Sequence, residues 1–79
     1  MDANVVGYRM RIARAIKKPP IKQKELLVKL QAAGMDISQS TLSKIENGER
    51  RVTDVELKHI AEVLGVKIMW LLDEIQTPY

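Results

Sequence analysis

Apolar side chains recur at helical spacing through most of this chain, and the runs are separated by proline, glycine or capping residues. Val6, Met10 and Ala13 fall at i, i+4 and i+7, which predicts a helix from Val5 to about Lys18. Pro19-Pro20 stops it, because neither proline can donate to the helical ladder and Lys18 is pushed out of the α region. Leu26, Leu27, Leu30 and Ala33 predict a second helix over about Lys22–Ala33, ended by Gly34. The stretch Ile37–Gly48 reads as a third, short helix. Ser38 is its N-cap, Ile37 and Leu42 occupy the two positions of a hydrophobic staple, and Asn47-Gly48 supplies a residue able to end it with φ > 0. Thr53 and Glu56 form a capping box, with Val52 and Leu57 as a second staple. The fourth helix then runs through Ile60, Ala61 and Leu64 to Gly65. Val66 to about Ile75 is apolar at seven of ten positions and predicts a fifth helix, poorly capped by Lys67, with Trp70 as its largest core filler. Residues 1–4 are expected to be a loose start and Thr77-Pro78-Tyr79 a tail. No strand alternation and no internal repeat is present.

The pattern therefore predicts an all-α protein, a five-helix bundle with one core built from Val6, Met10, Ala13, Leu26, Leu27, Leu30, Ile37, Leu42, Ile45, Leu57, Ile60, Ala61, Leu64, Val66 and Trp70. Seventy-nine residues leave too little chain for a second core, so one domain is expected over 1–79, its core about 6–72. The second and third helices are joined by a very short, glycine-containing link, which is the outline of a helix-turn-helix.

Charge sharpens this picture. The net charge is +3, but residues 1–51 hold 11 Lys/Arg against 5 Asp/Glu, a net of +6, while residues 52–79 hold 2 against 5, a net of −3. A basic first two-thirds suits a phosphate-facing surface. The outward face of the third helix collects Gln39, Ser40, Ser43, Lys44 and Asn47. These are amides, hydroxyls and an ammonium that can donate to base edges and phosphates, with no carboxylate to repel a polyanion.

Candidate chemistry of other kinds is thin. His59 has no second histidine with which to share a metal, and Ser38, Ser40 and Ser43 have no histidine in local register to activate them. Glu56 and Asp54 are explained by the start of the fourth helix. No cysteine is present, so neither a disulfide framework nor a thiolate metal site is expected. Neither enzyme activity nor a cofactor or metal is expected. No apolar run approaches a membrane span and no signal pattern opens the chain, so a cytoplasmic protein is expected, prokaryotic or phage-encoded.

The set Gln23-x-x-Leu26, Ser38-x-Ser40-Thr41-Leu42-Ser43-Lys44-Ile45-Glu46-Asn47-Gly48 and Leu64-Gly65-Val66 resembles the XRE family of lambda-repressor/Cro-like helix-turn-helix domains, over about residues 6–72. Gly7, Arg9, Met10, Arg11 and Arg14 fit the family's first helix. The resemblance implies a five-helix DNA-binding domain whose third helix enters the major groove. It implies base contacts from Gln39, Ser40 and Lys44, with Ser43 beside them. It also implies a phosphate contact from Gln23, backbone contacts from Ser38 and Asn47, and phosphate contacts from Arg50 and Arg51. Arg14 and Glu46 match a buried ion pair. The chain departs from the family in three places: a turn about two residues longer before Ile37, a longer link containing Pro19-Pro20, and Leu27 where alanine is common.

The expected function is sequence-specific binding of double-stranded DNA by a transcriptional regulator of the repressor kind. The alternative is a protein-binding module, such as an antitoxin or anti-repressor partner domain. A homodimer through the C-terminal segment is expected, with Ile68, Leu71 and Ile75 as the candidate surface.

Overall fold

The computed structural model describes residues 5–79, which form five helices and, among those residues, no strand: α1 Val5–Ile16, α2 Gln23–Ala32, α3 Gln39–Glu46, α4 Asp54–Leu64 and α5 Ile68–Leu71. The expectation for residues 1–4 lies outside them. Helix α1 packs across α3, α4 and α5, while α2 packs on α3 and α4. The core contains thirteen of the fifteen residues assigned to it from the sequence. Leu27 and Leu57 are only partly buried at its edge, and Met35 and Leu71 take full places in it.

The starts and stops of the helices follow local chemistry. Ser38 is extended, and its Oγ accepts from the Thr41 amide at 3.1 Å. Both halves of the Thr53–Glu56 capping box are formed. After α3 the chain reverses at Gly48, with φ 78, and the Glu49 amide returns to the Lys44 carbonyl at 2.8 Å. Helix α1 ends two residues before its predicted limit, as the conformational restriction before Pro19 requires.

The fifth helix departs most from the pattern. It is four residues long, not ten. Lys67 gives it no side-chain cap, and Asp73 adopts the left-handed conformation, φ 64, that elsewhere among the described residues belongs to glycines. The Glu74 amide then bonds back to the Met69 carbonyl at 2.8 Å, which closes the helix. An ion pair from Arg9 holds Asp73, and the Arg9 guanidinium also lies 4.8 Å from the centre of the buried Trp70 ring. The expected dimer surface needs correcting here: Leu71 is fully buried in the monomer core and cannot face a partner. The expected tail, Thr77-Pro78-Tyr79, is tied to the fold. Pro78 accepts from the Lys67 amide at 2.8 Å, and the Tyr79 ring lies 5.2 Å from the Lys17 ammonium.

The long turn between α2 and α3 is well held. Met35 and Ile37 are both buried, the Met35 amide bonds to the Leu30 carbonyl at 3.0 Å, and Gln31 Nε2 donates to the Ile37 carbonyl at 2.9 Å. Of the two extra residues, Met35 is absorbed into the core and Asp36 stays exposed, so the longer turn is anchored on both sides of Asp36. No helix among the described residues is long and apolar enough to cross a membrane.

Candidate nucleic-acid interface

Leu42 and Ile45 anchor α3 in the core, so the opposite side of the helix must face out. Gln39, Ser40, Lys44 and Asn47 are exposed there and Ser43 is half-buried. The one carboxylate of the helix, Glu46, is turned inward, its side chain only 1% exposed. It meets Arg14 of α1 through two parallel bonds, Arg14 Nε to Glu46 Oε2 at 2.9 Å and Arg14 Nη2 to Glu46 Oε1 at 2.7 Å. The helix that presents donors outward therefore keeps its negative charge neutralised inside the fold.

Arg14 also fastens the proline-containing link. Its Nη1 donates to the Ile21 carbonyl at 3.1 Å, and its own carbonyl accepts from the Ile21 amide at 3.0 Å. This brings the start of α2 against α3. Gln23 Nε2 donates to Glu46 Oε1 at 3.0 Å, while Gln23 Oε1 accepts from Gln39 Nε2 at 2.6 Å and from the Ser43 hydroxyl at 3.1 Å. Three residues assigned to the interface from the sequence, Gln23, Gln39 and Ser43, are thus one hydrogen-bonded cluster standing on the Arg14–Glu46 pair. Nothing local in the sequence announces this, because the cluster and the pair beneath it draw on three helices.

The remaining candidates divide. Among the described residues Ser40, Lys44, Asn47 and Arg51 make no side-chain hydrogen bond. The Ser38 hydroxyl is engaged by the cap, bonding to both the amide and the hydroxyl of Thr41. Arg50 is already paired: its Nη1 and Nη2 donate to the two carboxylate oxygens of Glu56 at 3.0 and 2.9 Å, and Nη1 also reaches the Arg51 carbonyl. This pairing was missed because the capping box accounts for Glu56 by itself.

The Arg50 hydrogen bonds hold the Glu56 carboxyl below its usual 4.5; the Thr53 amide adds to this, against the opposing effect of partial burial. Arg50 is raised in return, chiefly by the same bonds. A carboxyl with a lower pKa folded than unfolded adds stability that is complete above 4.5 and is lost as pH falls through the folded value. Glu56→Gln keeps an oxygen for the cap and removes the charge. Its urea midpoint should fall less than that of the wild type between about pH 5 and about pH 2. Equal falls would show that the pair contributes nothing in this window.

A family model described as helix-turn-helix matches residues 21–71, more than half of the chain. The chain belongs to the XRE/Cro–C1-type helix-turn-helix family. It is therefore a DNA-binding helix-turn-helix domain, and its partner is double-stranded DNA. The matched span of this helix-turn-helix protein runs from the link before α2 to the end of α5. Helix α1, which supplies Arg14, precedes it. A comparison with curated proteins and one with solved structures each found no match.

Proposed function

We propose that this protein is a sequence-specific transcriptional repressor that lays α3 in the major groove of its operator and blocks transcription by occlusion. The observation that carries this reading is the outward stripe of Gln39, Ser40, Ser43 and Lys44, free of carboxylate and fixed in orientation by the buried Leu42 and Ile45. Gln39 is the principal reader of a base edge and Lys44 a base or phosphate contact. Gln23, at the start of α2, and Asn47, at the end of α3, flank that stripe for backbone contacts. Arg51 adds a phosphate contact in the following loop. Arg50 reaches a phosphate as part of its pair with Glu56, and Ser38 serves the helix first and the backbone second.

A single domain of this kind reads only a few base pairs, so a two-fold operator calls for two copies. With Leu71 inside the core and Ile75 partly buried against it, the apolar surface that the C-terminal segment still offers for joining them is chiefly Ile68 and Met69 at the start of α5.

The experiment is a selection from random duplexes at two salt concentrations. A palindrome recovered with a steep salt dependence supports the reading; sequence-blind or absent binding sinks it and favours the partner-domain alternative. Within a recovered site, Lys44→Ala is expected to weaken binding. Gln39→Ala is expected to relax preference at one base position by about 1–3 kcal/mol. If both variants keep full affinity and the same preferred sequence, α3 is not the reading element.

A further inference from the structure

A guanidinium carries five N–H donors in one plane. Arg50 commits three of them inside the fold. One N–H from each of Nη1 and Nη2 goes to the two Glu56 oxygens, at 3.0 and 2.9 Å, and the second on Nη1 goes to the Arg51 carbonyl at 3.1 Å. The two left over, on Nε and Nη2, point the same way along one edge of the group, and that edge meets no acceptor among the described residues. Nε is open to solvent, because no buried side-chain nitrogen among those residues lacks a partner. Two parallel donors on one edge fit an oxyanion that presents two oxygens, a carboxylate or a phosphate. Arg14 uses this same edge, Nε with Nη2, to hold Glu46.

Glu56 is fixed in its turn. Its Oε1 accepts from the Thr53 amide at 2.9 Å as part of the capping box. The start of α4 thus grips Arg50 from one side. By itself that start offers an anion little. The amides of Val55, Glu56 and Leu57 are taken by Asp54 Oδ1, Thr53 Oγ1 and the Thr53 carbonyl, and Asp54 and Glu56 bring negative charge to it.

We propose that Glu56 is a positioning residue for DNA: by holding the end of Arg50 it turns the free Nε–Nη2 edge toward a backbone phosphate, in the loop that follows Asn47 and Gly48. A carboxylate near DNA ordinarily weakens binding by repelling phosphates. Here it strengthens binding, because an arginine already held loses little rotamer freedom when the phosphate arrives and meets it with two parallel donors. This inference rests on the reading of α3 as the helix in the groove.

The test is the affinity of the wild type and of Glu56→Gln for the duplex recovered by selection, each measured again in an Arg50→Ala background. Glu56→Gln keeps an oxygen for the cap. It should weaken binding by about threefold or more although it removes a negative charge, and Arg50→Ala should weaken binding by about tenfold. In the Arg50→Ala background Glu56→Gln should no longer weaken binding, since nothing is left for Glu56 to hold, and the lost repulsion should raise affinity. Equal weakening in both backgrounds would mean that Glu56 serves only α4, and it overturns the inference. Unchanged or tighter binding by the single Glu56→Gln variant also overturns it. If Glu56→Gln does not fold, Arg50→Lys decides. Lysine keeps the charge but lacks the planar pair of donors, so it should lose nearly as much affinity as Arg50→Ala; wild-type affinity overturns the inference. Unchanged binding by Arg50→Ala overturns it too, while α3 remains the reader. A wild type that selects no duplex overturns the reading beneath it as well.

Discussion

Glu46→Ala will bring this protein close to unfolding, at a cost of about 3–5 kcal/mol. The carboxylate is almost wholly buried and satisfies three donors: Arg14 Nε, Arg14 Nη2 and Gln23 Nε2. Removing it does not simply delete an interaction. It leaves the Arg14 guanidinium, itself only 17% exposed, with its charge partly desolvated and unanswered, and it leaves a cavity where α1, α2 and α3 meet. A typical domain has about 5–15 kcal/mol in total, and one this small belongs toward the low end. Urea unfolding followed by helical circular dichroism would read the effect directly. Replacing both partners at once, Arg14→Met with Glu46→Leu, should recover much of the loss, because no buried charge is then stranded. A Glu46→Ala midpoint equal to that of the wild type would mean that the buried pair is not a structural element at all.

Gly7→Ala should cost about 3 kcal/mol, although the same change in an ordinary exposed helix stabilises by about 1 kcal/mol. Gly7 sits inside α1 where that helix crosses α3. A Cβ there would lie 2.1 Å from the Ile45 carbonyl oxygen and 3.1 Å from two backbone atoms of Glu46. The obstacle is backbone, so no side chain can swing away and α1 must withdraw from α3. Withdrawal would also stretch the Arg14–Glu46 bonds. Gly34→Ala is the control: it has open space around the new Cβ but a φ of +97, so only the backbone preference is lost, about 1–2 kcal/mol. Thermal or urea unfolding of the two variants compares steric contact with conformational preference. Should Gly7→Ala prove neutral or stabilising, the close approach of α1 to α3 is not what this structure requires.

Much of the interface was legible because it is helical. Once Leu42 and Ile45 are assigned to the core, a period of 3.6 puts Gln39, Ser40, Ser43, Lys44 and Asn47 on the other side, and they are found there. Arg50 shows the limit. The resemblance implies a phosphate contact from it, and nothing local in the sequence reveals its partner. Glu56 lies six residues on and already had a sufficient role in the capping box. The fifth helix shows another. A run of apolar residues at seven of ten positions does not say where the helix stops, and the chain turns at Asp73 through an ion pair with Arg9, 64 residues away.

The sequence by itself determined, to within two residues, where the first four helices begin and end, which face of each is apolar, and which polar residues α3 turns outward. These depend on residues within a turn or two of one another, through capping, staples and the helical period. Tertiary structure alone decided that Gly7 must be a glycine, that Leu71 faces the core and not a partner, and that Gln23 joins Gln39 and Ser43 over a buried Glu46. Those pairings depend on how separate helices cross, and no local spacing in the chain records a crossing.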